Sequence, residues 1–476
     1  MNNFPDAAQQ QFIKMTQSPL RPLILSLAFP TICSMLITSF YNMADTFFVA
    51  RIGTSAAGAV GVVYSLMAII QAIGFMFGMG AGSIASRRLG ERKNDEARTA
   101  TSSAFFAALA FGLLVTTGGL IWLDPFMRLL GSTETILPFA REYARWILLG
   151  APLMTTSFVM NTNLRSEGKA FFAMLGIVTG GLLNVVLDPL FIFTFKMGIA
   201  GAAIATVLSQ CVSFSILMSH FVFKRTVLRI GTRYVSRSPA FYGLIVRTGM
   251  PTLFRQGMAS LASIALNTSA AVYGDAALAA MAIVMRVSMF IGSILIGFGQ
   301  GFQPVAGYNF GARRYDRVVE AYKFCVRTGL IVLSCLAAFF FVFAPQVIAS
   351  FQNADPRVSE IGTFAFRAHC VTLVTLPVTA LTDMLFQVTG RYKEASFLSG
   401  ARRGFFFIPC VYILPRFIGL TGIQISQPVA DVLCACFSIP LVRAYLTWMR
   451  AQMPAVRTNS TTEKRRSGER QTIGYK

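Results

Sequence analysis

The sequence predicts an all-α polytopic membrane protein, with twelve transmembrane helices in two parallel six-helix repeats. Three observations carry this expectation. Long apolar runs contain almost no charge, basic residues collect at alternate junctions, and the two halves match at a constant offset. Of the 476 residues, 54% are apolar and 13% charged, against roughly 25% charged in soluble domains. Twenty Asp and Glu side chains cannot coat the two or three domains that a soluble chain of this length would form. The apolar runs therefore face lipid.

A membrane-crossing helix needs about 20 apolar residues. Runs of that kind fall at 22–46, 56–82, 99–122, 138–160, 171–194, 199–223, 240–271, 277–302, 322–346, 361–387, 396–415 and 422–447. Pro30, Pro152, Pro251, Pro304 and Pro377 lie in or beside them. Membrane helices tolerate such prolines because neighbouring groups re-satisfy the freed carbonyls. Residues 1–17 are polar, and the first apolar run is long enough to span and stay, so no cleaved signal is expected.

The junctions after even-numbered runs hold twenty-two basic residues, from Arg87 and Arg88 through Arg313 and Arg314 to Arg402 and Arg403. Those after odd-numbered runs hold six at most. By the positive-inside rule the basic junctions and both termini are cytoplasmic. The net charge of +22 is thus a topology signal and not the folded basic face of a nucleic-acid module. The resulting plan is a cytoplasmic N-terminus at 1–21, six-helix bundles at 22–223 and 240–449, a cytoplasmic linker at 224–239, and a basic disordered tail at 450–476.

The internal match supports two bundles. At an offset of 221, Pro30-Thr31 meets Pro251-Thr252, Gly53 meets Gly274, and Gly198 and Gly201 meet Gly419 and Gly422. Between Gly78–Asp95 and Gly299–Asp316, six positions are identical. The offset covers six runs, so both halves enter the membrane in the same direction. Parallel repeats of this kind belong to transporters that rock two bundles about a central cavity.

A carboxylate within a span costs about 3 kcal/mol on insertion scales, so each one needs a reason. Tyr41 precedes Asp45 by four residues, and Asn184 precedes Asp188 by four. Each pair therefore shares a helix face. With Thr206, and Asn161 or Asn163, these groups could form a polar pocket suited to Na⁺ or to a proton shared between two acids. The alternative is that Asp45 caps a span end in water and that Asp188-Pro189 marks a helix break. The second half lacks this set, since Leu266 and Pro409 stand at the matching positions. It carries instead Asp383 and Gln387, Asp431 on a span with no matching pocket, and Arg286, which could pair with Asp383. Arg255 reads as a residue that snorkels to the interface.

Other chemistries lack support. The eight cysteines lie in or beside apolar runs without zinc-ligand spacing. Two histidines, His220 and His369, are too few for a multi-histidine metal centre. No HExxH, GxSxG or GxxxxGK[ST] occurs. No enzyme activity, cofactor or nucleic-acid partner is expected.

Taken together, the twelve runs, the Pro-Thr pair opening each half, NVVLDPLFIF at 184–193, LRSEGKA at 164–170, and Gly307, Asn309, Gly311 and Ala312 after the eighth run resemble the multidrug and toxic compound extrusion (MATE) family. The resemblance covers about residues 18–448. The acidic pair in the first half, and the lack of Glu in the seventh run, are closer to its prokaryotic branches of the DinF and MepA type. It implies a V-shaped, monomeric multidrug efflux antiporter in a bacterial inner membrane. Such a protein exports amphipathic, often cationic compounds in exchange for H⁺ or Na⁺ by alternating access. The family's cation site falls on Tyr41, Asp45, Asn184, Asp188 and Thr206. The departure is Asn267 in the seventh run, where the NorM-type branch carries an acid. A flippase for a lipid-linked precursor is the alternative, but such proteins line the cavity with rows of basic residues.

Replacing Arg87, Arg88, Arg92 and Lys93 together by Gln is expected to weaken insertion while sparing drug recognition. Normal membrane levels with unchanged loop labelling would contradict a topological role for these charges.

Overall fold

The computed structural model describes residues 7–351 and 355–453. The tail expected to be disordered lies, from residue 454 on, outside the described residues. A short helix α1 (Ala7–Gln17) leads into six long helical segments: α2 (Leu20–Ala50), α3 (Thr54–Gly90), α4 (Asn94–Ile121), α6 (Leu137–Ser166), α7 (Ala170–Pro189) and α8 (Gly198–Val222), with a short α5 (Leu123–Leu129) before α6. The second half repeats the plan with α9 (Pro239–Ala271), α10 (Asp275–Gly311) and α11 (Tyr315–Val342), then a short α12 (Ala344–Ala349). It continues through α13 (Pro356–Thr372) and α14 (Leu376–Thr389), α15 (Tyr392–Gly400) and α16 (Phe407–Ile418), and α17 (Leu420–Ala451). No strand occurs among the described residues, as expected where lipid offers backbone groups no partner.

Counting α13–α14 and α15–α16 each as one broken helix gives the twelve expected segments. Ten of them are long and apolar enough to span by themselves. The other two are α6, with Arg141, Glu142 and Arg145 in its first turns, and α9, with Arg247 and Arg255. The breaks follow the sequence. A 3₁₀ turn at Leu373–Thr375 places Pro377 in the first turn of α14, where its missing N–H is not needed. A π-turn at Leu190–Thr194 follows Pro189, and another at Ala401–Phe405 joins α15 to α16. That second turn corrects one assignment: Arg402 and Arg403 lie ten and eleven residues past Tyr392, inside a helix and not in a basic junction.

The two halves meet where the basic junctions lie. Helices α3 and α9, α2 and α10, and α3 and α10 pack across the divide, through the part of each helix nearest those junctions. Thr31 Oγ1 donates to the Gly297 carbonyl at 2.6 Å, and Arg165 donates to Gln300. Gly80 and Gly249 are small because nothing larger fits. A Cβ on Gly80 would strike the Ile245 carbonyl oxygen, and one on Gly249 the Met76 carbonyl oxygen. Arg87 also belongs to this clamp, with its guanidinium against Gly390 and its carbonyl against Gly311.

Both segments expected to be simple cytoplasmic connections reinforce the same end. The 1–21 segment contains α1, whose Met15 is fully buried. Asn309 Nδ2 donates to the Met15 carbonyl at 3.0 Å and Arg314 to that of Thr16 at 2.8 Å, while Gln11 donates to the Glu167 carbonyl at 2.6 Å. Helix α1 thus bridges both halves. In the 224–239 linker, the Val227 and Leu228 amides donate to the buried Glu167 carboxylate at 2.9 and 3.3 Å. The Ser236 amide donates to Ser103 at 2.9 Å.

Two predictions follow from the clamp. Because Arg87 packs across it, the topological test belongs to Arg88, Arg92 and Lys93 alone, whose contacts are Glu91, Glu96 and Phe12. Gly80→Val overpacks the clamp at a cost of about 1–3 kcal/mol and should hold its two sides apart. In a background without native cysteines, Ser86→Cys, buried at the clamp, should then react faster with a thiol reagent. An unchanged labelling rate would show that the clamp stays closed with Val at position 80 and that close packing there does not hold the halves together.

Candidate functional site

The site on which the sequence converges is built by four helices of the first half. Asn184 and Asp188 lie one turn apart on α7, and the Asn184 amide donates to Asp188 Oδ1 at 3.1 Å and to Thr206 Oγ1 of α8 at 3.3 Å. All three residues are buried. Gly181, one turn earlier on α7, lets α2 approach: a Cβ there would sit 3.0 Å from the ring of Tyr41. That approach brings the Asp45 carboxyl beside Asp188. Part of each of the Tyr41 and Asp45 side chains remains accessible, whereas Asp188 is fully buried. The two readings of Asp188-Pro189 turn out to be compatible, since the acid is fully buried and the π-turn begins two residues later.

Four oxygens in this region have no hydrogen-bond partner among the described residues: Asp45 Oδ1, Asp188 Oδ2, the Tyr143 hydroxyl and Ser209 Oγ. A buried polar atom left without a partner costs about 1–3 kcal/mol. Two adjoining carboxyls, an amide and hydroxyls therefore fit a group that brings positive charge, a proton or a Na⁺ ion. Among the described residues no cluster of three or more His, Cys, Asp or Glu side chains occurs, and all eight cysteines are free thiols.

Tyr143 of α6 is the member that sequence reasoning missed. Its side chain is fully buried and its hydroxyl adjoins Thr206, near Asp45 and Asp188. The signal available was a phenol among the charged residues of the first turns of α6, which needs a partner once buried.

Asn161 and Asn163 are not part of this cluster. Asn161 Nδ2 donates to the Ala173 carbonyl at 2.8 Å, and Asn163 accepts from Thr101 at 2.9 Å while donating to the Val159 carbonyl at 2.8 Å. They tie α6 to α7 and α4. Ala173 lies fifteen residues before Asp188, about 22 Å along the helix.

In the second half the pairing differs from expectation. Asp383 is bound by Arg255 at 3.0 Å and by Ser399 at 2.7 Å, and Arg286 is exposed. Arg255 therefore does not snorkel. One helical turn past Thr252, it faces α14, and the buried acid there is its partner at 3.0 Å. Gln387 is a fully buried joint, donating to Thr252 at 2.9 Å and to the Thr248 carbonyl at 3.2 Å. Asp431 is not isolated either, because it accepts from Arg402 and from Gln427, each at 2.8 Å. His369 Nδ1 lies 3.9 Å from its other oxygen.

The fold and site agree with what this chain matches. The MatE family model matches residues 30–190 and again residues 251–413, two copies at the offset seen within the sequence. The multidrug export protein MepA of Staphylococcus aureus (strain NCTC 8325 / PS 47) is 25% identical over 435 residues, 91% of this chain and 96% of MepA. The MepA of Staphylococcus saprophyticus is 25% identical over 428 residues, covering 89% of this chain and 94% of that protein. A solved structure described as the outward-facing conformation of a multidrug resistance MATE family transporter of the MOP superfamily superposes with a TM-score of 0.87 at 28% identity, covering 94% of this chain and all of its own. A MOP superfamily transporter from Pyrococcus furiosus, whose binding pocket is described as having reverse polarity, gives a TM-score of 0.86 at 27% identity over the same shares. With both halves matched by the family model, this chain belongs to the MatE family of multi-pass membrane transporters.

Proposed function

We propose that this transporter is a secondary antiporter that exports amphipathic organic compounds in exchange for H⁺ or Na⁺. The carrying observation is the Asp45–Asp188 pair: two acids side by side where α2 meets α7, one of them partly accessible, each with an unpartnered oxygen. Two negative charges in an apolar wall repel strongly, so the pair is stable when one positive charge is added. Substrate entry and ion binding can then exclude each other through the same wall. If a Na⁺ ion is used, Asp45, Asp188, Asn184 and Thr206 would hold it, and it supplies that positive charge. Export of drugs by the MepA relatives supports the substrate class.

The clamp supports the direction. The halves touch at the basic junctions, and the acidic pair lies beyond that contact on α2 and α7. With basic junctions in the cytoplasm, the space between the halves beyond the clamp opens outward and both termini are cytoplasmic. Helix α2 links the two places. It carries Thr31 at the clamp and Asp45 at the site, and Pro30 removes one of its backbone hydrogen bonds. A bend there would move Tyr41 and Asp45 relative to Asp188 while leaving the rest of each six-helix bundle intact. The flippase alternative calls for unpaired basic rows, whereas Arg255 and Arg402 are each paired with an acid.

Asp45→Asn and Asp188→Asn keep shape and hydrogen bonding while removing one charge each. Each should keep Tm within about 1–2 °C of the parent, the equivalent of about 1 kcal/mol in a chain of this length. Each should nonetheless reduce dye efflux from energised vesicles to the level of vesicles lacking the protein, with partial losses for Tyr41→Phe and Asn184→Ala. Imposing H⁺ and Na⁺ gradients separately identifies the coupling ion. Parental efflux by both Asn variants under either gradient would place coupling elsewhere. Asp431→Asn should instead lower Tm, because it leaves the half-buried Arg402 without its acid.

A further inference from the structure

Beside the basic junction that follows α14, the second half carries a groove on its outer surface. Helices α15 and α17 both pack against α14. Between them runs a space of about 750 Å³, lined by Lys393 and Phe397 of α15 and by Cys436, Phe437 and Leu441 of α17. Aromatic contacts close both ends. At one end the Phe397 and Phe437 rings meet edge to face at 6.2 Å, and Phe406 stacks on Phe437 at 5.3 Å. At the other, the Arg391 guanidinium lies 4.7 Å from the Tyr445 ring and 5.9 Å from the Trp448 ring, and these two rings are themselves stacked. Phe397, Phe437 and Leu441 are exposed, so the groove is open on its apolar outer side.

Charge and depth narrow what fills it. Arg391 is paired with Glu394 at 3.0 Å, whereas Lys393 is exposed and has no ion pair among the described residues. One unbalanced ammonium therefore stands in the groove wall, a helical turn from Phe397 and about 6 Å from it along the axis. Trp and Tyr concentrate at the headgroup level of a membrane. Tyr445 and Trp448 thus set Lys393 near that level, with the phenylalanine end of the groove reaching into the hydrocarbon. An exposed lysine at such a depth is ordinarily a group that snorkels to water. Here an apolar groove of ligand size begins at it, and basic pockets between membrane helices on the cytoplasmic side suit anionic headgroups.

We propose that this groove holds one anionic phospholipid of the cytoplasmic leaflet, with its phosphate on Lys393 and part of an acyl chain along Phe397, Phe437 and Leu441. The assignment depends on the basic junctions being cytoplasmic and is independent of the coupling at Asp45 and Asp188.

Cys436, exposed in the groove wall, reports occupancy, and Cys335, exposed on α11, serves as the reference. The purified full-length protein is alkylated with a small maleimide in micelles containing phosphatidylglycerol or phosphatidylcholine of identical acyl chains, and each cysteine is read by peptide mapping. Phosphatidylglycerol should slow alkylation of Cys436 about fivefold more than phosphatidylcholine does, the size of one basic group at an anionic surface. The two lipids should act alike on Cys335. Lys393→Gln should erase the difference and Lys393→Arg should keep it. Lys323→Gln, which removes an exposed lysine from α11, should leave it unchanged. Equal slowing of Cys436 by both lipids in the parent would overturn the proposal, as would a difference that survives in Lys393→Gln. The same preference at Cys335, or its loss in Lys323→Gln, would also overturn it, because either marks diffuse surface charge and not a site.

Discussion

Two carboxyl groups held side by side in a wall of apolar helices require a positive partner, and much of the first half is arranged to keep them there. Gly181 lets the Tyr41 ring close onto α7. Asn184 fixes one oxygen of Asp188 while leaving the other open. Thr206 and Tyr143 bring further oxygens from α8 and α6. An acid pair that water could solvate freely would need no exchange partner; one buried without any access could not exchange it. The combination of a fully buried Asp188 and a partly accessible Asp45 meets both requirements.

The clamp supplies the mechanical counterpart. Small residues at Gly80 and Gly249 allow backbone-to-backbone approach between halves, and α1 adds a strap across both. Packed interfaces of this kind switch between discrete arrangements and do not deform continuously. Thr31 at the clamp and Asp45 at the site sit on one helix, α2, through which the proposed exchange would link the two.

The membrane helices, the repeat and the acidic pair were legible in the sequence because each is written in local spacing: 20-residue apolar runs, a fixed offset, and polar residues four apart. The features that sequence reasoning misplaced depend on which helix faces which. Arg402 and Arg403 looked like a basic junction because they interrupt the apolar run; a π-turn and Asp431 make them interior. Arg255 looked like an interface residue because its partner, Asp383, lies 128 positions away. Tyr143 gave no local sign of the two acids that it meets on other helices. Helix α1, eleven residues with one Lys, is too short and polar to stand out until both halves surround it.

The central claim is that Asp45 and Asp188 together hold the exchangeable positive charge. The most direct measurement is the proton count released when a cationic substrate is added to the purified protein in weakly buffered detergent, with and without Na⁺. Proton release from the parent that Na⁺ pre-empts or replaces, and that is lost in the Asp45→Asn/Asp188→Asn double variant, is the predicted result. Release of the same size from the double variant would contradict the account.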